Sequence, residues 1–272
     1  MKVIRDLNGG SVKVSSRMQA SLAIAASFLP LLALAETVTF VACPIYRDTD
    51  AGRKSGCWLV DDARTGTRYD VSDALVKPLL GREVLVEGVV SKRDTASCGG
   101  LILEPLSVSV LESECKAHMF PAEGHPSRRF VLPTKVLQPA NVPRVPPSPP
   151  YETREYLIYF ELNGDFLLYQ HSEVIIDEAV TYIKAAKPKR IVVTGYADTT
   201  GFDASGRHIA ESLQIARARA AMLTEALLRM GVDKKMIEQR ASGSAPDDAM
   251  TAQGLKHAAK RRATLRVEMP PP

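Results

Sequence analysis

The most reactive side chains in this 272-residue chain are four cysteines, Cys43, Cys57, Cys98 and Cys115. All fall in one stretch, with wide spacings and no CxxC pair. A structural zinc site usually draws its thiolates from close pairs, so the pattern argues against metal. An even number of cysteines in an exported domain reads instead as two disulfides, with three pairings open. Local pairing, Cys43–Cys57 and Cys98–Cys115, would stabilise the fold by roughly 3 kcal/mol per bridge through loop closure. The five histidines (His118, His125, His171, His208, His257) are scattered. No HExxH, GxSxG or P-loop occurs. The expectation is a protein that is not an enzyme, with no metal and no cofactor.

Export is written in the N-terminus. Lys2, Arg5, Lys13 and Arg17 face a single acid, Asp6, before an apolar run from Ala20 to Ala35. That run is shorter than the ~20 residues a membrane helix needs, and Ala33-Leu34-Ala35 offers small residues for cleavage. Residues 1–35 therefore read as a secretory signal peptide. A lipoprotein signal ending at Cys43 is the competing reading. It is disfavoured by the polar stretch Glu36–Thr39 and by the odd cysteine count that lipidation would leave. The chain's net charge is +4, and residues 1–35 carry +3 of it. A near-neutral mature chain lacks the basic surface that nucleic acid requires.

Proline divides the remainder. Nine of the 18 prolines lie between Pro121 and Pro150, ending NVPRVPPSPP. Such a run favours polyproline II and reads as a semi-rigid spacer. Residues 36–120 come before it. They show β-branched, alternating segments at 36–44, 57–62, 67–71, 83–90 and 101–111, with a short helix expected at 73–80. Three strands, a helix and two strands is an order similar to the OB-fold, a small closed barrel. The expectation is an all-β, disulfide-bonded N-terminal domain.

Residues 151–272 alternate strands and helices. Strands are expected at 156–162, 190–196, 237–244 and 263–269, with helices at 171–186 and 251–260. A third, long helix carries the stripe Ile209, Leu213, Ala216, Ala220, Leu223, Leu227 and ends at Gly231. The whole predicts an α/β sandwich.

Here the residues resemble a family. IVVTGYADTTG, ESLQIARARAAMLTEAL, RASGSAP and KRRATLRV occur in the order and near the spacing of the OmpA-like C-terminal domain. The resemblance implies non-covalent binding of peptidoglycan through diaminopimelate, whose free end is a zwitterion of ammonium and carboxylate. An acid and an Arg fork complement such a group. By resemblance these are Asp198, after the second strand, and Arg217, on the following helix. Asn163 and the pair Arg261–Arg262 match further family positions near the pocket. The chain departs from the pattern at Tyr196, Ala210 and Lys260, where the family has His, Asn and Asn, and its loop before Arg217 is longer.

The sequence thus predicts a periplasmic, peptidoglycan-associated envelope protein, with the outer membrane as a further location, and residues 36–120 free to meet another envelope protein. The alternative is an OmpA-like fold that serves as a protein-interaction module and has lost wall binding.

Overall fold

The computed structural model describes residues 36–50, 56–92, 98–125, 145–168, 171–246 and 254–270. The expected signal peptide and most of the Pro-rich spacer lie outside them. Of the helix expected at 251–260, residues 251–253 lie outside them; residues 254–260 form no α-helix but turns and a 3-10 turn, Ala258–Lys260, where Gly254 takes a left-handed φ of 90° that an α-helix does not use.

The N-terminal half is built from β1 (Thr37–Ala42), β2 (Pro44–Arg47), β3 (Cys57–Asp62), β4 (Thr67–Asp70), β5 (Arg82–Val90), β6 (Leu101–Glu114) and β7 (His118–Phe120). They form one sheet in the order β1-β5-β6-β4-β3-β2-β7. β1 and β2 follow each other across Cys43, yet β1 pairs with β5 and β2 with β3. One nearly continuous strand therefore touches both ends of the row β3-β4-β6-β5 and curls the sheet. β4 and β6 run parallel, as do β2 and β7; the other pairs are antiparallel. Alternation on β1 turns Val38 and Phe40 inward against Val84, Val86, Val108, Val60 and Tyr69.

No helix forms at 73–80; that stretch is turns and irregular chain. Pro78 sits within it, has no N–H to donate and biases Lys77 away from helical dihedrals. Lys77 Nζ instead donates to the carbonyls of Ser72 and Ala74. All four cysteines are bridged, as Cys43–Cys115 and Cys57–Cys98. The pairing is nested and long-range rather than local: one bridge ties the β1–β2 junction to the end of β6, the other ties β3 to the approach to β6.

The C-terminal half contains β8 (Arg154–Tyr159), α1 (His171–Ala186), β9 (Arg190–Tyr196), β10 (Phe202–Ala204), β11 (Arg207–Ile209), α2 (Leu213–Arg229), β12 (Ile237–Ser242) and β13 (Arg262–Glu268). Its sheet order is β12-β9-β13-β8, with β12 parallel to β9. Both helices share one core with the sheet: Ile176, Ala179 and Ile183 from α1 and Ala220, Leu223 and Leu227 from α2 meet Ile158, Ile191, Val193 and Leu265. Gly195 is required where α2 crosses β9, because a Cβ there would lie 1.9 Å from the Ala216 carbonyl oxygen. The helical stripe begins later than its spacing suggests. Ile209 belongs to the β10–β11 hairpin and α2 starts at Leu213, which is 40% exposed.

Candidate functional site

The end of β9 delivers Asp198, which is 3% exposed. Its Oδ1 accepts from the Gly201 amide at 3.1 Å and from Lys260 Nζ at 3.4 Å. Its Oδ2 lies 3.3 Å from the same ammonium but accepts no hydrogen bond among the described residues. His257 Nδ1 is 3.9 Å away, and the His257 ring stacks on Phe202 of the hairpin. Burial pushes the His257 imidazole below its ordinary range, against the pull of Glu87 and Asp198.

Beside Asp198 lies a fully buried ion pair, Glu211 with Arg219 of α2. Arg219 Nη1 and Nη2 donate to the two Glu211 oxygens at 2.9 and 2.5 Å. Its remaining donors go to the carbonyls of Gly164, Tyr196 and Glu161, so all five N–H groups are used. Glu211 also accepts the amides of Asn163 at 2.8 Å and Asp198 at 3.1 Å. The carboxylate therefore sits in a cradle of a bidentate guanidinium and two backbone N–H groups.

The expected residues are placed unequally. Asp198 stands at the centre. Asn163 contributes its backbone amide, held by a left-handed conformation (φ 55°), while the residue itself is exposed. Arg217 is exposed and forms no pair with Asp198. Residues two apart point about 200° apart around a helix, so only Arg219 faces the sheet. Arg262 is buried, donates to the carbonyls of Ala259 and Pro246 and lies over the Tyr196 ring. Arg261 is fully buried against Glu87 of β5, so it joins the two halves of the protein rather than facing solvent. Sequence reasoning missed Arg219, Glu211 and Glu87. The signal for Arg219 was present: a charged residue three positions after Ala216 and one before Ala220, inside the apolar stripe.

Around this site the β half docks on the C-terminal half. Glu87 also accepts the Ala258 amide at 2.8 Å. Ser205, at the tip of the β10–β11 hairpin, bonds both backbone groups of Val41. Arg207 forks onto Glu83 at 2.6 Å and holds that carboxyl below its usual range. Ser109 Oγ accepts the Leu162 amide, and Glu161 meets the Val110 amide. Burial pushes the Glu161 carboxyl up.

Residues 159–263, from the end of β8 into β13, match the OmpA family. Among solved structures, the chain is similar to the OmpA-like domain of FopA1 from Francisella tularensis subsp. tularensis SCHU S4 at 18% identity. That match covers 43% of this chain and 73% of that one, with a TM-score of 0.35. It is similar to the peptidoglycan-associated lipoprotein from Burkholderia pseudomallei at 22% identity, covering 40% and 87%, with a TM-score of 0.32. The cell wall anchor of the T6SS from Pseudomonas aeruginosa matches at 14% identity, covering 44% and 83%, with a TM-score of 0.34. No curated protein matches the chain.

Proposed function

We propose that this is a non-enzymatic, periplasmic cell-envelope protein. Its OmpA-like domain binds peptidoglycan non-covalently through the zwitterionic end of diaminopimelate, and its disulfide-bonded β half is carried to the wall as an interaction module. The observation that carries this reading is the pair of adjacent charged sites, Asp198 for an ammonium and Arg219, with the Asn163 and Asp198 amides, for a carboxylate. The ligand role expected of Arg217 passes to Arg219. Arg261 and Arg262, at the start of β13, are buried and spend their charge on Glu87 and on the Ala259 and Pro246 carbonyls, so their part is to hold the site's surroundings. The β half is read as OB-like because its bent first strand closes the row β3-β4-β6-β5. Export with cleavage before Glu36 suits two disulfides.

A second reading rests on Glu87–Arg261: the OmpA-like domain is chiefly a docking partner for the β half, and wall binding is lost. Co-sedimentation of the mature chain with insoluble peptidoglycan of the diaminopimelate and lysine types separates the two. The first reading predicts retention on the diaminopimelate type only, weakened about tenfold by Asp198→Ala, the loss of one charge-assisted bond. Equal retention on both types contradicts it, and no retention favours the second reading.

A further inference from the structure

We propose that the ligand site is occupied by the protein's own side chains: Glu211 stands in for the ligand's carboxylate and Lys260 for its ammonium. The inference rests on the reading of this site as a zwitterion clamp and adds how the clamp is regulated. Glu211 meets every donor that a bound carboxylate would use, namely the Arg219 fork and the amides of Asn163 and Asp198. Lys260 places its ammonium within 3.4 Å of both Asp198 oxygens. The two stand-ins reproduce a zwitterion, one charge on each side of Asp198, whose amide serves the carboxylate and whose side chain serves the ammonium.

The two halves of this internal ligand are not held equally. Glu211 is completely buried with its acceptors engaged. Lys260 keeps 20% of its side chain exposed, and Asp198 Oδ2 accepts no hydrogen bond from it or from any other described residue. A buried carboxylate oxygen left so is costly, so an incoming ammonium that can donate to Oδ2 gains what Lys260 does not supply. Lys260 has water to move into. It is therefore the half that exchanges first.

Both stand-ins are anchored by segments that the β half holds. Glu211 follows the β10–β11 hairpin by two residues, and that hairpin is tied to Val41 and Glu83. Lys260 immediately precedes Arg261, which is paired with Glu87. Docking of the β half thus favours the occupied state, and its displacement frees both stand-ins together.

The test uses the full mature chain and measures affinity for insoluble diaminopimelate-type peptidoglycan, with circular dichroism as a fold control. Lys260→Ala should bind about tenfold more tightly than wild type, and adding Asp198→Asn to it should remove that gain. Lys260→Ala with Glu211→Gln provides a second opened variant. If wild type binds and Lys260→Ala binds equally or more weakly, self-occupation is overturned while the wall-binding reading stands. If wild type and both opened variants, all folded, fail to bind, self-occupation and the wall-binding reading fall together.

Discussion

Arg219 of α2 and Glu211, eight residues earlier in the loop before that helix, form a two-bonded ion pair with no exposed surface on either side chain. The pair joins β9, α2 and the loop after β8 through the carbonyls of Tyr196, Glu161 and Gly164. Removing one partner of such a pair strands a buried charge, at a cost of about 3–5 kcal/mol. Arg219→Ala should therefore lower the denaturant midpoint severely, whereas Arg217→Ala, on the exposed flank, should stay within about 0.5 kcal/mol of wild type. Urea unfolding of both variants measures this. Equal effects would contradict the placement of the two arginines.

The nested disulfides predict a specific pair of bridged fragments. Protease digestion without reduction, followed by mass spectrometry, should recover Cys43 joined to Cys115 and Cys57 joined to Cys98. With partners 72 and 41 positions apart, each closure contributes about 4 kcal/mol in a chain-entropy picture. Reduction should consequently lower the melting temperature markedly. Recovery of Cys43–Cys57 would contradict the nesting.

A cut in the Pro-rich segment should leave the halves together. Glu87–Arg261, Glu83–Arg207 and the Ser205–Val41 bonds cross between them without using the spacer. Protein nicked between residues 126 and 150 should elute from a sizing column as one species and separate only in denaturant. Two separate peaks under native conditions would contradict the dock.

Mild acid should loosen the fold through His257. Its folded pKa lies below the unfolded value of about 6.5 because burial disfavours the imidazolium. The unfolded state then binds the proton first, so stability falls as pH drops below about 6.5 and levels off below the folded pKa. Glu83 adds a loss at lower pH. Its folded pKa is depressed by the Arg207 hydrogen bond, so its contribution is present above about 4.3 and fades as pH falls through the folded value. Thermal unfolding at pH 7 and pH 5 should show a smaller difference for His257→Gln than for wild type. An unchanged difference would remove His257 from the account.

The elements most legible in the sequence were those with strong local periodicity. The spacing of Ile175, Ala179 and Ile183 read α1 at its observed bounds, and the run RIVVTGY read β9. Local spacing misled where two elements happened to fall in phase: Ile209 is four residues from Leu213, yet a hairpin ends between them. The position of Asp198 just after β9 was legible because it follows from a local strand. Arg219 was passed over for Arg217 because facing direction is set by which side of α2 the sheet covers. The Glu87–Arg261 pair spans 174 residues, and no local pattern marks either partner. The two cysteine bridges were countable from composition, but their pairing follows from the curl of the sheet.

The central claim is that Asp198 and Arg219 form a clamp for the zwitterion of diaminopimelate, and competition tests it most directly. The Lys260→Ala chain, bound to insoluble diaminopimelate-type peptidoglycan, is challenged with free diaminopimelate or with lysine carrying a blocked α-carboxylate, which offers the ammonium alone. The account predicts release by diaminopimelate at concentrations about tenfold below those of the blocked lysine, the difference being one charge-assisted hydrogen-bonded contact. Equal release by the two, or none by diaminopimelate, would contradict it.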